Sequence, residues 1–332
     1  MPGTDKNTAA RSCLVTGGFG YAGAWIAEHL AATGHEVFIL SRRAAAPSPG
    51  LPCTLISADI GEISPEALSR LLPDNLDSVV HAASVNEEFL PNYPANALKV
   101  NAFGTRVLLE SLRLFSERNA VPPPLLLYMS TFHVYGRSEG RINEELPAAP
   151  RGDYAITHFF AEEYCRMFMR AHACPSIVVR LTNGYGRPRL PGSDKWHLLI
   201  NDLCKSAVTH GRIELRSNPD IPRDFIWLGD VARAVERLLH APGAAGKLFN
   251  LSSGKSITIG EAAARVLQVY NATTVSRASL SVPPAGQFTN TPRRKLYVDN
   301  SAVAAATGIS FTDRMDEEIA AIIKSLAEGS AT

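Results

Sequence analysis

Residues 13–23 read CLVTGGFGYAG and decide the fold of this chain of 332 residues. A short apolar run leads into three glycines at the spacing Gly17-x-x-Gly20-x-x-Gly23. In such a turn one glycine closes the strand-to-helix bend, one lets the backbone approach a pyrophosphate, and one allows helix and strand to pack closely. The N–H groups at the start of the following helix then face the phosphates. The stretch therefore predicts a dinucleotide-binding unit, with an ordinary structural turn as the alternative.

Short apolar runs alternate with helix-period segments through the first half of the chain. Ala22, Ile26 and Leu30 share one face and Gly34 follows them, which predicts a helix over 22–33. The apolar runs are typical of buried parallel strands, over residues 13–15, 37–40, 54–56, 79–82, 125–129 and 177–179. This alternation predicts an α/β fold, a Rossmann-type doubly wound parallel sheet with right-handed crossovers.

The pattern loosens after about residue 182, where Gly, Pro and Arg become frequent. Helices are predicted near 198–209, 231–240 and 260–270, and the Pro-, Thr- and Arg-rich stretch 282–294 is predicted to be a surface loop. The predicted division is a dinucleotide-binding domain over 10–182, with returning segments near 225–255, and a smaller C-terminal substrate lobe over 183–330.

Composition narrows the functional classes. A net charge of +1 gives no field that would attract nucleic acid or an anionic membrane. No apolar stretch approaches the roughly 20 residues of a membrane span, and residues 1–11 lack an apolar signal core, so a cytoplasmic location is expected. The five cysteines show no CxxC spacing, which predicts reduced thiols and no metal site.

The end of the second predicted strand indicates which dinucleotide binds. It reads Ser41-Arg42-Arg43, where an NAD site usually has an Asp or Glu that accepts from the ribose 2′-hydroxyl. Two guanidiniums suit a 2′-phosphate instead. The sequence therefore predicts NADP rather than NAD, with a solvated basic loop as the alternative.

Further motifs follow the glycine turn in a fixed order. They are ADI at 58–60, HAAS at 81–84, VNxxGT at 100–105, MSTFHVYG at 129–136, RLTNGYG at 180–186 and RDFI at 223–226. From residue 13 to about residue 311 the chain resembles the extended short-chain dehydrogenase/reductase family of nucleotide-sugar epimerases, dehydratases and ketoreductases. The resemblance implies a nucleotide-sugar substrate and a homodimer formed through two helices of each subunit.

The resemblance also implies most of the cofactor site. In relatives the Asp of the ADI motif accepts from the adenine amine, and the HAAS segment lies beside the ribose and pyrophosphate. With the basic strand end included, the expected cofactor-binding residues are Gly17, Phe19, Gly20, Tyr21, Gly23, Ser41, Arg42, Arg43, Asp59, Ile60, Ala82, Ala83, Asn101, Tyr154 and His158.

The catalytic pair of the family is Tyr-x-x-x-Lys, whereas this chain has Tyr154-x-x-x-His158. Residues four apart share a helix face, so both side chains are expected at the nicotinamide. Tyr154 would exchange a proton with the substrate oxygen, Thr131 would bond the same oxygen, and His158 would replace the ribose bond of the lysine. A neutral phenol can protonate a ketone, whereas oxidation needs phenolate, so the pair favours reduction. A non-catalytic homologue is the alternative.

His133 is the remaining catalytic candidate. In family dehydratases this position carries a Glu after an Asp, so Phe132-His133 argues against a 4,6-dehydratase. A histidine can move protons at neutral pH, although a histidine without chemistry is the alternative. The expected substrate-binding residues are Ser84, Thr131, Asn183, Arg223 and Arg294.

The sequence thus predicts an NADP(H)-dependent oxidoreductase acting on a nucleotide-linked sugar, with a 4-keto-sugar reductase as the preferred interpretation. A nucleotide-sugar epimerase on the same scaffold is the nearest alternative. A dinucleotide-binding sensor or scaffold without catalysis is the alternative outside the enzymes.

Overall fold

The computed structural model describes residues 11–43, 50–86, 92–190, 195–283 and 295–329. Its strands are β1 (Ser12–Thr16), β2 (Glu36–Ser41), β3 (Thr54–Ser57), β4 (Leu76–His81), β5 (Leu125–Thr131), β6 (Gly140–Ile142), β7 (Ser176–Leu181), β8 (Asn183–Tyr185), β9 (Arg212–Glu214), β10 (Pro222–Trp227), β11 (Leu248–Leu251), β12 (Ser256–Thr258), β13 (Ser279–Ser281) and β14 (Leu296–Val298).

The helices follow the same order along the chain. They are α1 (Tyr21–Ala32), α2 (Pro65–Leu71), α3 (Tyr93–Ala97), α4 (Gly104–Asn119), α5 (Asp153–Arg170), α6 (Leu199–His210), α7 (Leu228–His240), α8 (Ile259–Thr273), α9 (Ser301–Thr307) and α10 (Met315–Gly329). A π-helical segment, Leu98–Phe103, leads into α4, and a short 3₁₀ helix, Phe132–Tyr135, follows β5.

The large sheet has seven strands in the order β11-β7-β5-β4-β1-β2-β3, and every neighbouring pair is parallel. The Rossmann-type doubly wound sheet is therefore confirmed. The fourth strand, predicted over 79–82, lies nearer the N-terminus, because β4 spans Leu76–His81. Ala82 follows the strand, and its N–H donates to the Thr16 carbonyl at 3.1 Å. The strand order reverses between β1 and β4, which opens a crevice at their carboxyl ends.

Helices cover both faces of this sheet, as buried parallel strands require. Helices α1 and α7 pack on one face around an apolar cluster that includes Ile26 and Val235. Helices α2, α4 and α5 cover the other face, around Leu108 and Phe168. Both faces are thus closed by apolar packing, and the edge at the strand carboxyl ends is where polar side chains collect.

The C-terminal half builds a second core and also returns to the sheet. Helices α6, α8 and α10 pack together around Leu203, Val266 and Ile319. Helix α7 packs on α1, and β11 pairs with β7. Helix α7 begins three residues before its predicted start, directly after β10. Residues 284–294 of the predicted surface loop lie outside the described residues.

None of the helices in the described ranges combines the length and the apolar character needed to cross a lipid bilayer.

Candidate active site

A cleft of about 870 Å³ lies at the carboxyl ends of the central strands, between the sheet and the C-terminal lobe. It gathers most of the side chains that the sequence singles out: Gly17, Phe19, Gly20, Tyr21, Gly23, Ser41, Arg42, Arg43, Asp59, Ile60, Ala82, Ala83, Ser84, Thr131, His133, Tyr154, His158 and Asn183. Arg223 lines a smaller adjoining cavity, Asn101 lies behind the cleft wall, and Arg294 lies outside the described residues.

The glycine turn between β1 and α1 is shaped by three close approaches of backbone to backbone. Gly17 has φ +69°, and a Cβ there would lie 2.8 Å from the backbone of Ala83. The N–H of Gly20 bonds the Gly17 carbonyl at 2.8 Å. A Cβ on Gly23 would lie 2.1 Å from that same carbonyl oxygen. Gly17 and Gly23 admit only glycine, whereas a Cβ on Gly20 would lie 3.1 Å from the Gly17 carbonyl oxygen and is only crowded. The turn therefore keeps the tight path that brings the start of α1 to the cleft.

Helix α1 begins at this turn without a side-chain cap. Gly20 is its N-cap residue and offers no side-chain bond to the first-turn N–H groups. Such N–H groups, with the positive end of the helix dipole, fit an anion such as a pyrophosphate. The Tyr21 hydroxyl does not take part in this anion site, since it donates to the Gly186 carbonyl and lies 3.2 Å from Asn201 Oδ1. Tyr21 therefore ties α1 to the C-terminal lobe.

The far end of the cleft is basic, as the sequence predicts. Arg42 lies on the surface, and its guanidinium is 3.9 Å from the Asp59 carboxylate. Asp59 also accepts a bond from the Gly61 N–H at 2.9 Å, which fixes its orientation. Ser41 Oγ accepts from the Arg43 N–H at 3.2 Å. The exposed Arg42 guanidinium, 72% accessible, can thus reach an anionic group at this edge.

The opposite end holds the candidate catalytic side chains. Tyr154 and His158 lie one turn apart on α5, and their ring centroids are 4.6 Å apart. Thr131 ends β5, and its Oγ1 accepts from the His133 N–H at 3.3 Å, which caps the 3₁₀ helix. Because Oγ1 is the acceptor in that bond, the hydroxyl proton of Thr131 can be donated to a ligand oxygen. The structure therefore brings a phenol, an imidazole and a hydroxyl donor to one point.

His158 is buried, with 2% of its surface exposed. Its Nδ1 lies 2.6 Å from the Tyr128 hydroxyl and its Nε2 lies 3.1 Å from Ser84 Oγ. Burial, and then the neighbouring His81 and His133, lower the pKa of His158 to about 3. The side chain is therefore a neutral imidazole at physiological pH, and it supplies hydrogen bonding but not the charge of a lysine.

Tyr128 is a residue that sequence reasoning missed. It lies in β5, three residues before Thr131, and is 1% exposed. Alternation along β5 places Tyr128 and Ser130 on the same face of the sheet, toward α5, which was the available signal. The partner on α5 was not visible in the sequence, because it lies 30 residues further along the chain.

A buried ion pair, also missed, anchors α5 against the sheet. Glu162 is fully buried and accepts from Arg180 Nε and Nη2 on β7, at 2.9 and 2.7 Å. It also accepts from Ser130 Oγ on β5, at 2.6 Å. Since Glu162 lies one turn after His158, the pair fixes the position of the catalytic helix relative to β5 and β7.

His133 faces the ring of Tyr154, with centroids 6.0 Å apart. Desolvation by the surrounding cleft, and then the Arg223 guanidinium, lower the pKa of His133, although its side chain stays exposed to the cleft. Arg223 lines an adjoining cavity of about 240 Å³ together with Arg137 and Arg151. His133 is thus held between the candidate proton donor and a group of cations.

Asn101 does not line the cleft, which corrects the expectation of a direct cofactor contact. Its Oδ1 accepts from the Val85 N–H at 2.8 Å. Its Nδ2 donates to the Val85 carbonyl at 3.0 Å and to Thr157 Oγ1 at 3.2 Å. All three bonds are internal, so Asn101 holds the segment after β4 and the start of α5 against the π-helical segment. Asn183 also bonds within the protein, since its Nδ2 donates to the Asp224 carbonyl at 2.8 Å.

A cluster of possible metal ligands lies elsewhere, where α1 ends and α7 ends. His35, Glu236 and His240 place ligand atoms within 4.8 Å of one another. The Arg11 guanidinium contacts His240 Nδ1, and Arg237 Nε is 3.5 Å from the Glu236 carboxylate. The two guanidiniums leave the facing atoms His240 Nε2 and Glu236 Oε1, 3.8 Å apart, uncovered, but their charges disfavour a metal ion there. The cluster lies apart from the cleft and is not part of the candidate site.

Comparison with known proteins identifies the family of this chain. Residues 13–252 match the model of the NAD dependent epimerase/dehydratase family. The chain belongs to this family. The resemblance seen in the sequence is thereby confirmed, and a nicotinamide dinucleotide is the cofactor of such proteins.

Three matches to individual relatives have sequence identities to this chain between 25% and 30%. GDP-6-deoxy-D-mannose reductase of Pseudomonas aeruginosa is 30% identical over 210 residues, which is 60% of this chain and 65% of the reductase. The dTDP-6-deoxy-L-talose 4-dehydrogenase (NAD(P)(+)) of Kitasatospora kifunensis is 29% identical over 264 residues, 77% of this chain and 78% of that enzyme. The solved structure of RMD from Pseudomonas aeruginosa complexed with NADPH is 25% identical, with a TM-score of 0.73 over 96% of this chain and all of the other.

Proposed function

We propose that this protein is an NADP(H)-dependent oxidoreductase that reduces the keto group of a nucleotide-linked 4-keto-sugar. The observation that carries the proposal is Tyr154 beside a neutral, buried His158 at one end of a dinucleotide cleft. A neutral imidazole gives no charge that would favour phenolate over phenol at this position. A phenol donates a proton to a ketone oxygen, whereas oxidation of an alcohol needs a base.

Bound NADPH would supply the hydride, while the residues of this chain hold and protonate the substrate. The Thr131 hydroxyl orients the ketone oxygen, and Tyr154 Oη gives its proton to that oxygen. The glycine turn and the start of α1 hold the pyrophosphate. Relatives of this kind include a reductase, an NAD(P)(+)-dependent 4-dehydrogenase and a structure complexed with NADPH.

NADP is the proposed form of the cofactor because of Arg42 and Arg43. Both line the end of the cleft beyond the second strand, where a 2′-phosphate would lie. Asp59, the carboxylate nearest to Arg42 in the described ranges, follows β3 and not β2, and it pairs with that guanidinium. An acidic group held by an arginine is a poor acceptor for a ribose 2′-hydroxyl, which supports NADP over NAD.

The substrate is proposed to carry a diphosphate. Arg137, Arg151 and Arg223 line one cavity of about 240 Å³ beside His133. In the described ranges no salt bridge joins these three guanidiniums to a carboxylate, and Arg223 Nη1 donates to the Pro222 carbonyl at 3.3 Å. Guanidiniums without a carboxylate partner around one cavity suit the bidentate recognition of phosphate oxygens. A nucleoside diphosphate carrying the sugar at its end fits both the cavity and the adjoining Tyr154.

Epimerisation next to a ketone is the second candidate function, and His133 is the observation that favours it. Its ring lies beside Tyr154, and its lowered pKa keeps it a neutral base at pH 7. Such a base can remove a proton from a carbon next to a sugar ketone. Incorporation of solvent deuterium into the sugar without net oxidation of NADPH would establish this activity.

The direct test is NADPH oxidation with a panel of nucleotide-4-keto-sugars. Tyr154→Phe is expected to lower kcat by about 100-fold or more, as loss of a general acid does, while NADPH still binds. Tyr270→Phe is the matched control, because Tyr270 is buried in the C-terminal lobe core away from the cleft. Binding of NADPH without oxidation by any of these sugars would overturn the reductase and favour a sensor or scaffold.

A homodimer is proposed from exposed apolar side chains on the helices that cover one sheet face. Phe103, Phe160 and Met167 are 52%, 45% and 42% exposed, and Phe160 and Met167 lie two turns apart on α5. Burial of such a patch would stabilise a pair of subunits. Light scattering should find a dimer that Phe160→Glu converts to a monomer, whereas Leu71→Glu, at an exposed site on α2, should not. A monomeric native protein would contradict this proposal.

A further inference from the structure

A buried chain of three polar groups runs from the interior of the sheet to the cleft. The Tyr128 hydroxyl lies 2.6 Å from His158 Nδ1, and His158 Nε2 lies 3.1 Å from Ser84 Oγ. Tyr128 and His158 are 1% and 2% exposed, whereas Ser84 lines the cleft. The chain therefore connects a fully buried phenol to a hydroxyl at the ligand-binding surface.

We propose that Tyr128 is a positioning residue that fixes the tautomer of His158, with Nδ1 as acceptor and Nε2–H as the donor to Ser84 Oγ, which lines the cleft. The inference rests on the proposed function, since it assigns how an imidazole serves at the position of the family lysine. Tyr128 touches neither the cleft nor any ligand there, and it acts only through His158.

Tyr128 and His158 together carry two protons that can form hydrogen bonds. Burial raises the pKa of Tyr128 well above its ordinary value, so the phenol keeps its single proton. His158 is neutral for the same reason, so one of its two ring nitrogens carries hydrogen and the other accepts. Two arrangements of these protons are therefore open, and they differ in which partner donates at the Tyr128–Nδ1 contact.

Only one arrangement uses every donor. When Tyr128 donates to Nδ1, Nε2–H donates to Ser84 Oγ, and each buried proton has an acceptor. When Nδ1–H donates to Tyr128 instead, the phenol proton must find another acceptor, and the described residues place none at hydrogen-bond distance from it. Leaving a buried donor unsatisfied is unfavourable enough to select the first arrangement by about fivefold to a hundredfold.

The selected tautomer has a consequence at the cleft. Nε2–H occupies a lone pair of Ser84 Oγ, so the hydroxyl proton of Ser84 is available to a ligand oxygen. Ser84 Oγ–H is thus the donor that the network offers to the cleft, and His158 acts there through Ser84. A neutral imidazole can fill a hydrogen-bonding role in this way only when its tautomer is fixed from behind.

The first experiment reads the tautomer without any activity. In the purified protein with ¹⁵N-labelled histidine, NMR should show His158 protonated at Nε2 and unprotonated at Nδ1, with its signals assigned by their loss in His158→Gln. In Tyr128→Phe neither tautomer has a partner at Nδ1, so the preference for Nε2–H should weaken and a measurable share of the Nδ1–H form should appear. Tyr135→Phe is the matched control, because Tyr135 is also buried and its hydroxyl bonds Asn250 at 2.7 Å, away from His158. It should leave the His158 signals unchanged.

The second experiment tests the role in the site. Tyr128→Phe is expected to lower kcat/KM for NADPH by about tenfold, as loss of one organised hydrogen bond does, while Tyr135→Phe changes it little. In the His158→Lys background Tyr128→Phe should have no such effect, because an ammonium has no tautomer to fix.

The outcomes separate this inference from the proposed function. An Nδ1–H tautomer in the native protein, or an unchanged tautomer in Tyr128→Phe, overturns the inference whatever the enzyme does. If no keto-sugar is reduced but the NMR result is as expected, the reductase fails and the tautomer assignment stands. If Tyr128→Phe lowered kcat/KM equally in the native protein and in His158→Lys, Tyr128 would have only a packing role. That result would also overturn the inference.

Discussion

The two ends of the cleft are built in different ways. At the glycine turn, Gly17, Gly20 and Gly23 hold the site through backbone approaches as close as 2.8 Å, with no side chain involved. On α5, His158 is held by the side chains of Tyr128 on β5 and Ser84 after β4, and its ring lies against that of Tyr154. The glycine turn depends on the absence of side chains at three positions. The α5 end depends on a network of side chains that hydrogen-bond one another.

This difference decides how a substitution should act at each end. Removing one partner from the α5 network leaves a buried polar or charged group unsatisfied, which destabilises the whole fold. Adding an atom at the turn displaces a short backbone segment and should damage ligand binding more than stability. Four experiments test this contrast, ordered from the largest expected effect to the smallest.

Glu162→Gln should destabilise the protein by about 3–5 kcal/mol in urea unfolding, as breaking a buried ion pair does. The variant leaves the charge of Arg180 buried, 2% exposed, without its carboxylate. Glu163→Gln is the matched control on the same helix, because Glu163 is half-exposed and pairs with Arg166 at the surface. It should cost no more than about 1 kcal/mol. Equal losses from the two variants would show that the buried pair does not hold α5.

Gly23→Ala should weaken NADPH binding by about 100-fold or more. The new Cβ would lie 2.1 Å from the Gly17 carbonyl oxygen, so the turn must move by an amount that misplaces the phosphate-binding N–H groups. Titration of NADPH fluorescence measures the affinity.

Gly34→Ala is the control at the other end of α1. Gly34 has φ +89° but a Cβ there would meet nothing within 4 Å, so the variant carries backbone strain without a clash. It should lower stability by about 1–2 kcal/mol and leave the affinity for NADPH unchanged. Tight binding by Gly23→Ala would mean that the turn can relax, and the contrast between the two ends would fail.

The same difference explains what could be predicted from the sequence. The requirement for glycine is local, so the spacing of Gly17, Gly20 and Gly23 is visible in a single short stretch. Tyr154 and His158 follow from the resemblance to the Tyr-x-x-x-Lys pair of the family, and helical spacing predicts that they share one face. Their supports were not found, because a bond between Tyr128 and His158 joins residues 30 apart, and no periodicity names the partner. The neutral state of His158 follows from burial, which a sequence does not display.

Asn101 shows that a sequence motif does not determine where a side chain points. Its motif was visible, and its place next to the cleft was expected. Its carboxamide is nevertheless consumed by Val85 and Thr157, so it supports the cleft wall from behind. A motif predicts that a residue matters near a site, but the direction in which its side chain points depends on contacts made across the fold.

The replacement of Arg42 and Arg43 tests the basic end of the cleft. Arg42→Ala and Arg43→Ala should each weaken NADPH binding by about tenfold, the scale of a charged hydrogen bond, and leave NADH binding nearly unchanged. Comparing the two cofactors on one variant separates the 2′-phosphate from any general damage. Equal losses for NADH and NADPH would show that these side chains support the turn and do not read the phosphate.

The smallest expected effect is that of pH on the reductive step. Because the pKa of His158 is lowered to about 3, the imidazole gains no charge when the pH falls from 8 to 5.5. An imidazole with the ordinary value of about 6.5 would become cationic in that range and would make Tyr154 a stronger acid. Single-turnover rates at saturating NADPH, which exclude changes in cofactor binding, should therefore vary by less than about twofold across this range.

A rise in rate below pH 6.5 that disappears in His158→Gln would contradict the neutral imidazole. It would also mean that the network around α5 opens enough to admit a proton, because His158 is 2% exposed in the structure. A flat profile in both proteins would instead place the whole contribution of His158 in its hydrogen bonds. The catalytic end of the cleft would then resemble the glycine turn in one respect: it would work through fixed donors and not through a titrating charge.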